Sequence, residues 1–146
     1  MKIFYNLAIA VSMMLLASNV KAMTKDEAKE MMKSMAEECR KKEAASEAEL
    51  EKMINEEYPT SKEGKCMIHC LQEQYGVTQD GVYQKDTVKS LIEMMAGDDE
   101  NKRAAAEDIA EECKSKTDSD KCEQAILIGK CLEEGGKKRG FKAPGE

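Results

Sequence analysis

The six cysteines constrain this chain more than any other feature. They stand at positions 39, 66, 70, 113, 122 and 131 of 146 residues, an even number that can close completely into three disulfides. Zinc is the competing use, because Cys66, His69 and Cys70 sit together. Zinc sites that mix Cys and His donors usually pair their histidines, and this chain has one His in all. Six cysteines can pair in 15 ways. Cys66 and Cys70, one turn apart on a helix, project in parallel and do not reach disulfide geometry. Cys122 and Cys131, on a single helix, stand ~13 Å apart along its axis. Ten schemes avoid both bonds, and the residues by themselves leave those ten open.

The start of the chain supplies the oxidising context that three disulfides need. Lys2 precedes an apolar run from Ile3 to Ala17, broken by Tyr5, Asn6 and Ser12, and Val20 and Ala22 flank Lys21 in a small-x-small cleavage pattern. The run is too short for a membrane span of ~20 residues. Residues 1–22 are therefore expected to be a signal peptide cut after Ala22, and all six cysteines lie in the exported part. Losing the leader removes two lysines and no acids, leaving 21 basic and 29 acidic residues and a net charge of −8. That argues against nucleic acid, whose partners carry a basic face, and against an anionic membrane surface. It favours a soluble protein that is a monomer or weak homodimer. The remaining 124 residues make one domain.

Helix is signalled almost throughout. Thr24 to Glu27 is a capping box, followed by Ala28, Met31, Met32, Met35, Ala36 and Cys39 at helical spacing. A second box, Ser46 to Glu49, opens a shorter helix with Leu50, Met53 and Ile54 inward, ended by Pro59. Ser61 starts the next, which carries Cys66, Met67, Cys70 and Leu71 and stops at Gly76. A turn at Gln79-Asp80-Gly81 precedes a helix capped by Asp86, bearing Val88, Leu91, Ile92 and Met95 and ended by Gly97. Asn101 to Cys113 forms an Ala-rich helix, and a last one runs from about Thr117–Asp120 to Leu132. In it, Ala125 to Ile128 is apolar all round and should be surrounded by protein. The expectation is an all-α fold: six short helices in residues 23–134, then a flexible, locally basic tail over 135–146.

The intervals between cysteines are 26, 3, 42, 8 and 8 residues. This pattern resembles the six-cysteine signature of the insect odorant-binding proteins, the pheromone and general odorant-binding family, across nearly the whole exported chain. The resemblance implies interlocked pairing of first with third, second with fifth and fourth with sixth: Cys39–Cys70, Cys66–Cys122 and Cys113–Cys131, one of the ten open schemes. It also implies six helices packed around an internal hydrophobic cavity. The function it implies is an extracellular carrier, in sensillum lymph or haemolymph, that takes small hydrophobic semiochemicals to a membrane odorant receptor.

A cavity also gives the three bridges a physical purpose. An empty apolar cavity of ~300 Å³ costs ~7 kcal/mol, and each disulfide returns ~2–4 kcal/mol. The methionines suit a wall that adapts to several shapes. The expected lining comprises Met31, Met32, Met35, Leu50, Met53, Ile54, Met67 and Leu71 from the first half of the chain. Val88, Leu91, Ile92, Met95, Ile109 and Ile126 follow from the second, with Phe141 as a plug if the tail folds over. Tyr58, Tyr75 and Tyr83 could offer hydroxyls, and Tyr75 and Tyr83 are counted in the lining. The expected cargo is a volatile alcohol, ester, aldehyde, terpenoid or fatty acid, with no cofactor and no metal. No catalytic residues are expected, because a phospholipase-type enzyme needs a His-Asp pair and a calcium loop, and neither is present. A secreted scavenger of amines or lipid mediators, of the salivary or venom type, is the alternative on the same fold.

Overall fold

Side-chain caps set where four of the described helices begin. In the computed structural model, which describes residues 25–141, there are six: α1 (Lys25–Lys42), α2 (Glu47–Ile54), α3 (Lys62–Gln74), α4 (Lys85–Ala96), α5 (Glu100–Cys113) and α6 (Lys121–Lys138). The expected signal peptide and its cleavage point, Thr24 of the first capping box, and residues 142–146 of the tail lie outside the described residues. Ser46 accepts a hydrogen bond from the Glu49 amide at 3.3 Å, and Ser61 from the Gly64 amide at 3.0 Å. Asp99 and Asp120 do the same for α5 and α6, at 3.1 Å from Lys102 N and 2.8 Å from Cys122 N. Each satisfies an amide that the helix itself leaves without a partner.

Two start signals act differently from the sequence reading. Glu49 does not turn back to its own cap; its carboxylate accepts from the Thr60 and Ser61 amides at 3.0 and 3.2 Å, so it fixes the chain entering α3. Asp86 is not a cap either. It sits inside the first turn of α4, whose N-cap is Gln84 and has no side-chain cap bond, and there it complements the positive helix end. Between α3 and α4 the Asp80-Gly81 pair makes a two-residue hairpin turn joining β1 (Thr78–Gln79) to β2 (Val82–Tyr83). Both turn residues have positive φ, +53° and +80°, as the right-handed strand twist requires. Glu73 holds the turn by accepting from both amides, at 3.1 and 3.0 Å.

Cys39 is bonded to Cys70, Cys66 to Cys122 and Cys113 to Cys131, with Cα separations of 5.7, 4.5 and 5.7 Å. These bonds tie α1 to α3, α3 to α6 and α5 to α6. The packing follows the same path: α6 lies between α3 and α5, α1 covers α3 and α2, and α4 packs on α5. One apolar cluster joins Ala36, Cys39, Ala45, Leu50, Met67, Cys70 and Leu71 across α1, α2 and α3. A second joins Val77, Val88, Ala110 and Ile128 across α4, α5 and α6.

The last helix departs from expectation twice. Ala125, Ile126 and Ile128 are buried as predicted, but Leu127 is 41% exposed, so one stripe of α6 faces solvent. The helix also runs past Leu132 to Lys138, through the Gly135-Gly136 pair expected to be flexible. Tertiary contact overrides the helix-breaking preference of glycine here. A Cβ on Gly135 would stand 3.1 Å from the Ile109 side chain, so the missing side chain lets α6 press against α5. Arg139 then clamps the end, donating to Glu112 on α5 at 2.7 Å and to the Gly135 carbonyl at 3.2 Å.

Candidate functional site

A cavity of about 610 Å³ lies at the seam between the two apolar clusters. Met53 of α2 and Ile68 of α3 face it from the first cluster's side. Val77, Val88, Leu91, Ile92 and Leu132 face it from the second. Ile109 of α5, Tyr75 at the end of α3, and Met94 and Met95 of α4 complete the apolar wall. Met94 and Met95 are 72% and 65% exposed, so the cavity reaches solvent beside them. The volume is within the ~300–1,000 Å³ usual for small-molecule sites.

The remaining wall is set by two chain reversals. At the end of α2, Glu56 takes a left-handed conformation, φ +64°. The Glu57 amide bonds back to the Lys52 carbonyl at 2.8 Å and the Glu56 amide to Met53 at 3.0 Å. This helix stop turns Glu56, Glu57 and Tyr58 to the cavity. The Tyr58 ring then lies against α6 at Gly129, where an added Cβ would be 3.1 Å from the ring. Lys130 Nζ stands 5.5 Å from the ring centroid. Burial, with a hydrogen bond to Glu133, holds the Tyr58 hydroxyl far above the ordinary phenol range, so it stays protonated. Glu133 is in turn held below the usual carboxylate range by its bond to Lys137, one turn on.

The second reversal ends α6. Gly140 takes φ +75°, its amide bonding to the Lys137 carbonyl at 3.2 Å, and the Phe141 amide bonds to the Gly136 carbonyl at 3.1 Å. This glycine stop folds Phe141 back on α6, where its Cβ sits 3.5 Å from the position a Gly136 Cβ would occupy. Phe141 thereby lines the cavity, with Lys102 Nζ 5.8 Å from its ring centroid.

Comparison with known proteins places this arrangement. Residues 21–135 match the PBP/GOBP family. The chain belongs to that family. It is 28% identical over 136 residues to general odorant-binding protein 28a of Drosophila melanogaster, covering 91% of this chain and 95% of the relative. It is 24% identical over 110 residues to general odorant-binding protein 19d of the same fly, covering 74% and 73%. Among solved structures it is similar to odorant-binding protein dmelOBP28a of Drosophila melanogaster, with a TM-score of 0.67, 26% identity, and coverage of 82% of this chain and 100% of that one. It is also similar to the fatty acid binding protein OBP56a from the oral disk of the blowfly Phormia regina, with a TM-score of 0.63, 26% identity, and coverage of 77% and 94%.

In this PBP/GOBP chain the cavity gathers Met53, Tyr75, Val88, Leu91, Ile92, Met95, Ile109 and Phe141 from the expected lining. It does not gather the rest. Leu50, Met67 and Leu71 are buried in the first cluster and Ile54 packs on it, because α2 and α3 turn those residues toward α1. Tyr83 packs on the second cluster, and its hydroxyl donates to the Ala110 carbonyl at 3.0 Å, while burial pushes its pKa up to about 12. Ile126 is buried away from the cavity. Met31 and Met35 are 51% and 38% exposed and Met32 is half-buried, so no described residue of α1 lines the cavity.

Sequence reasoning missed Glu56, Glu57, Ile68, Val77, Leu132, Glu133, Gly136 and Lys137 as lining residues, and named Tyr58 without counting it in the lining. The Gly135-Gly136 pair was the available signal for close packing at the end of α6. His69 lies elsewhere, half-buried in a polar crevice of about 300 Å³ with Lys42, Glu43, Glu73, Asp80 and Lys121. Among the described residues no group of three or more His, Cys, Asp or Glu could hold a metal ion, and no helix is long and apolar enough to cross a membrane.

Proposed function

We propose that this protein is an extracellular carrier that takes small hydrophobic semiochemicals into the cavity and transports them to a membrane receptor. The observation that carries this reading is the cavity's size and apolar wall, in a chain of the odorant-binding family. The leader expected over residues 1–22 supports export. The similar blowfly protein is a fatty acid binding protein, which supports a long apolar chain as the general shape of cargo. A ligand of ~15 heavy atoms at ~0.5 kcal/mol per atom binds with micromolar affinity, weak enough to be released at its destination. The flexible Met53, Met94 and Met95 let one cavity accommodate several shapes.

Displacement of a fluorescent hydrophobic probe tests the reading. Long-chain alcohols, esters, aldehydes or terpenoids should displace it at micromolar concentration. Failure of every such compound would remove the carrier function. The alternative, a scavenger of amines, draws support from the carboxylates of Glu56, Glu57 and Glu133 on the cavity wall. Expression in a salivary or venom gland instead of an antenna would favour it.

A further inference from the structure

The cavity is apolar over most of its wall and polar along one edge. That edge combines Glu56, Glu57 and Tyr58, from the turn after α2, with Glu133 and Lys137 near the end of α6. Its charge is uneven: three carboxylates line it against one ammonium. The ammonium is already engaged, since Lys137 is paired with Glu133. The charges just outside the wall leave its net sign negative. Lys130 stands over the Tyr58 ring and acts on Glu133, and Glu134 adds a negative charge that acts on Tyr58. Lys102, over Phe141, is paired with Asp99 at 3.3 Å.

The hydrogen-bonding capacity of this edge is equally one-sided. The Tyr58 hydroxyl is protonated and interacts with Glu133. Lys137 and Tyr58, the donors of this edge, both engage Glu133, while the carboxylate lone pairs accept but cannot donate. A ligand that brings its own donor meets the three carboxylates of this edge as acceptors. A ligand carboxylate brings none at neutral pH and adds a further negative charge to a net-negative, partly desolvated place.

We infer that the cavity selects apolar chains by their terminal group, taking an alcohol or a primary amine and disfavouring the carboxylate of the same chain. The inference rests on the carrier reading and narrows its cargo. One uncompensated like charge about 10 Å away, at an effective dielectric of about 20, weakens binding roughly tenfold. Hydroxyl and ammonium groups escape that repulsion and donate to the waiting oxygens.

The test uses the full oxidised chain with N-phenylnaphthylamine bound, titrated with dodecanol, dodecylammonium, dodecanal and dodecanoate at neutral pH. Dodecanol and dodecylammonium should compete at concentrations about tenfold below dodecanoate, with dodecanal between. Glu133→Gln removes a charge and releases Lys137, so dodecanoate should tighten about tenfold and the discrimination should close. Glu57→Gln, at an exposed position, should move the ratio the same way by a smaller factor and guards against misfolding of the first variant. Native protein that binds dodecanoate as tightly as dodecanol overturns the inference. So does an unchanged ratio in both variants, checked as folded by circular dichroism. Displacement by none of the four chains would instead remove the carrier reading itself.

Discussion

Single residues decide how much of the space between the helices is left empty. Gly129 is one of them: the Tyr58 ring occupies the place where a side chain would stand, 3.1 Å from its would-be Cβ. Gly129→Ala must push that ring by a few tenths of an ångström toward the cavity. The substitution also gains up to about 1 kcal/mol of helix propensity, so it should leave overall stability nearly unchanged. Ligand affinity should fall several-fold in probe titrations while the urea midpoint moves little. Loss of both together would show instead that the ring cannot yield.

Glu49 shows the same economy in polar terms. It is only 8% exposed, and it holds Thr60 and Ser61 at the entry to α3. Burial acts to raise its pKa, but the two amide bonds and Lys52 outweigh burial and hold it below the usual carboxylate value of 4.5. A folded-state pKa below the unfolded one stabilises the protein above the ordinary carboxylate range, and that contribution is lost as pH falls through the lower, folded value. Glu49→Gln should therefore flatten the acid limb of the stability-against-pH curve. An acid limb unchanged in this variant would assign the dependence to other carboxylates.

At the scale of elements, helix ends complete the wall that helix faces begin. The stop after α2 supplies Glu56, Glu57 and Tyr58, and the stop after α6 supplies Phe141. Gly140 has φ +75° and cannot take a side chain without strain of about 1 kcal/mol or more. Gly140→Val should loosen the reversal and withdraw Phe141 from the wall. Phe141→Ala deletes the same contact without touching the backbone. Both should weaken binding of a long-chain alcohol, and near-equal losses in the two, read by probe displacement, would place the effect in the ring. A binding loss confined to Gly140→Val would mean that Phe141 is not a wall residue.

For the whole molecule, the three bonds tie α6 and α1 to their neighbours around the cavity. Their worth scales with the chain they close. The Cys66–Cys122 link spans 56 residues and should stabilise by about 4 kcal/mol, against about 3 kcal/mol for the 18-residue Cys113–Cys131 link. Replacing each pair by alanine and measuring urea unfolding under oxidising conditions checks the order. A larger loss from Cys113–Cys131 would mean that native packing at the α5–α6 seam outweighs chain entropy.

The sequence by itself determined the helical class, most helix ends, the hairpin turn and the family. Each of these depends on local chemistry: a serine that caps, a glycine that admits positive φ, cysteines at fixed intervals. It also determined much of the buried face of α2, α3 and α5, but not that of α1, where Met31 and Met35 are exposed. What it could not determine is what each face is buried against. Leu50 and Met53 lie one turn apart on α2, and Met67 and Ile68 are adjacent on α3, yet one of each pair fills the core and the other lines the cavity. Core and cavity wall demand the same apolar side chains at the same period, so periodicity does not separate them. That choice was made only when α6 settled between α3 and α5 and left the two clusters unjoined. The polar edge is tertiary for the same reason. Glu56, Glu57 and Tyr58 follow one helix, Glu133 and Lys137 end another, and only the fold brings them to one ligand.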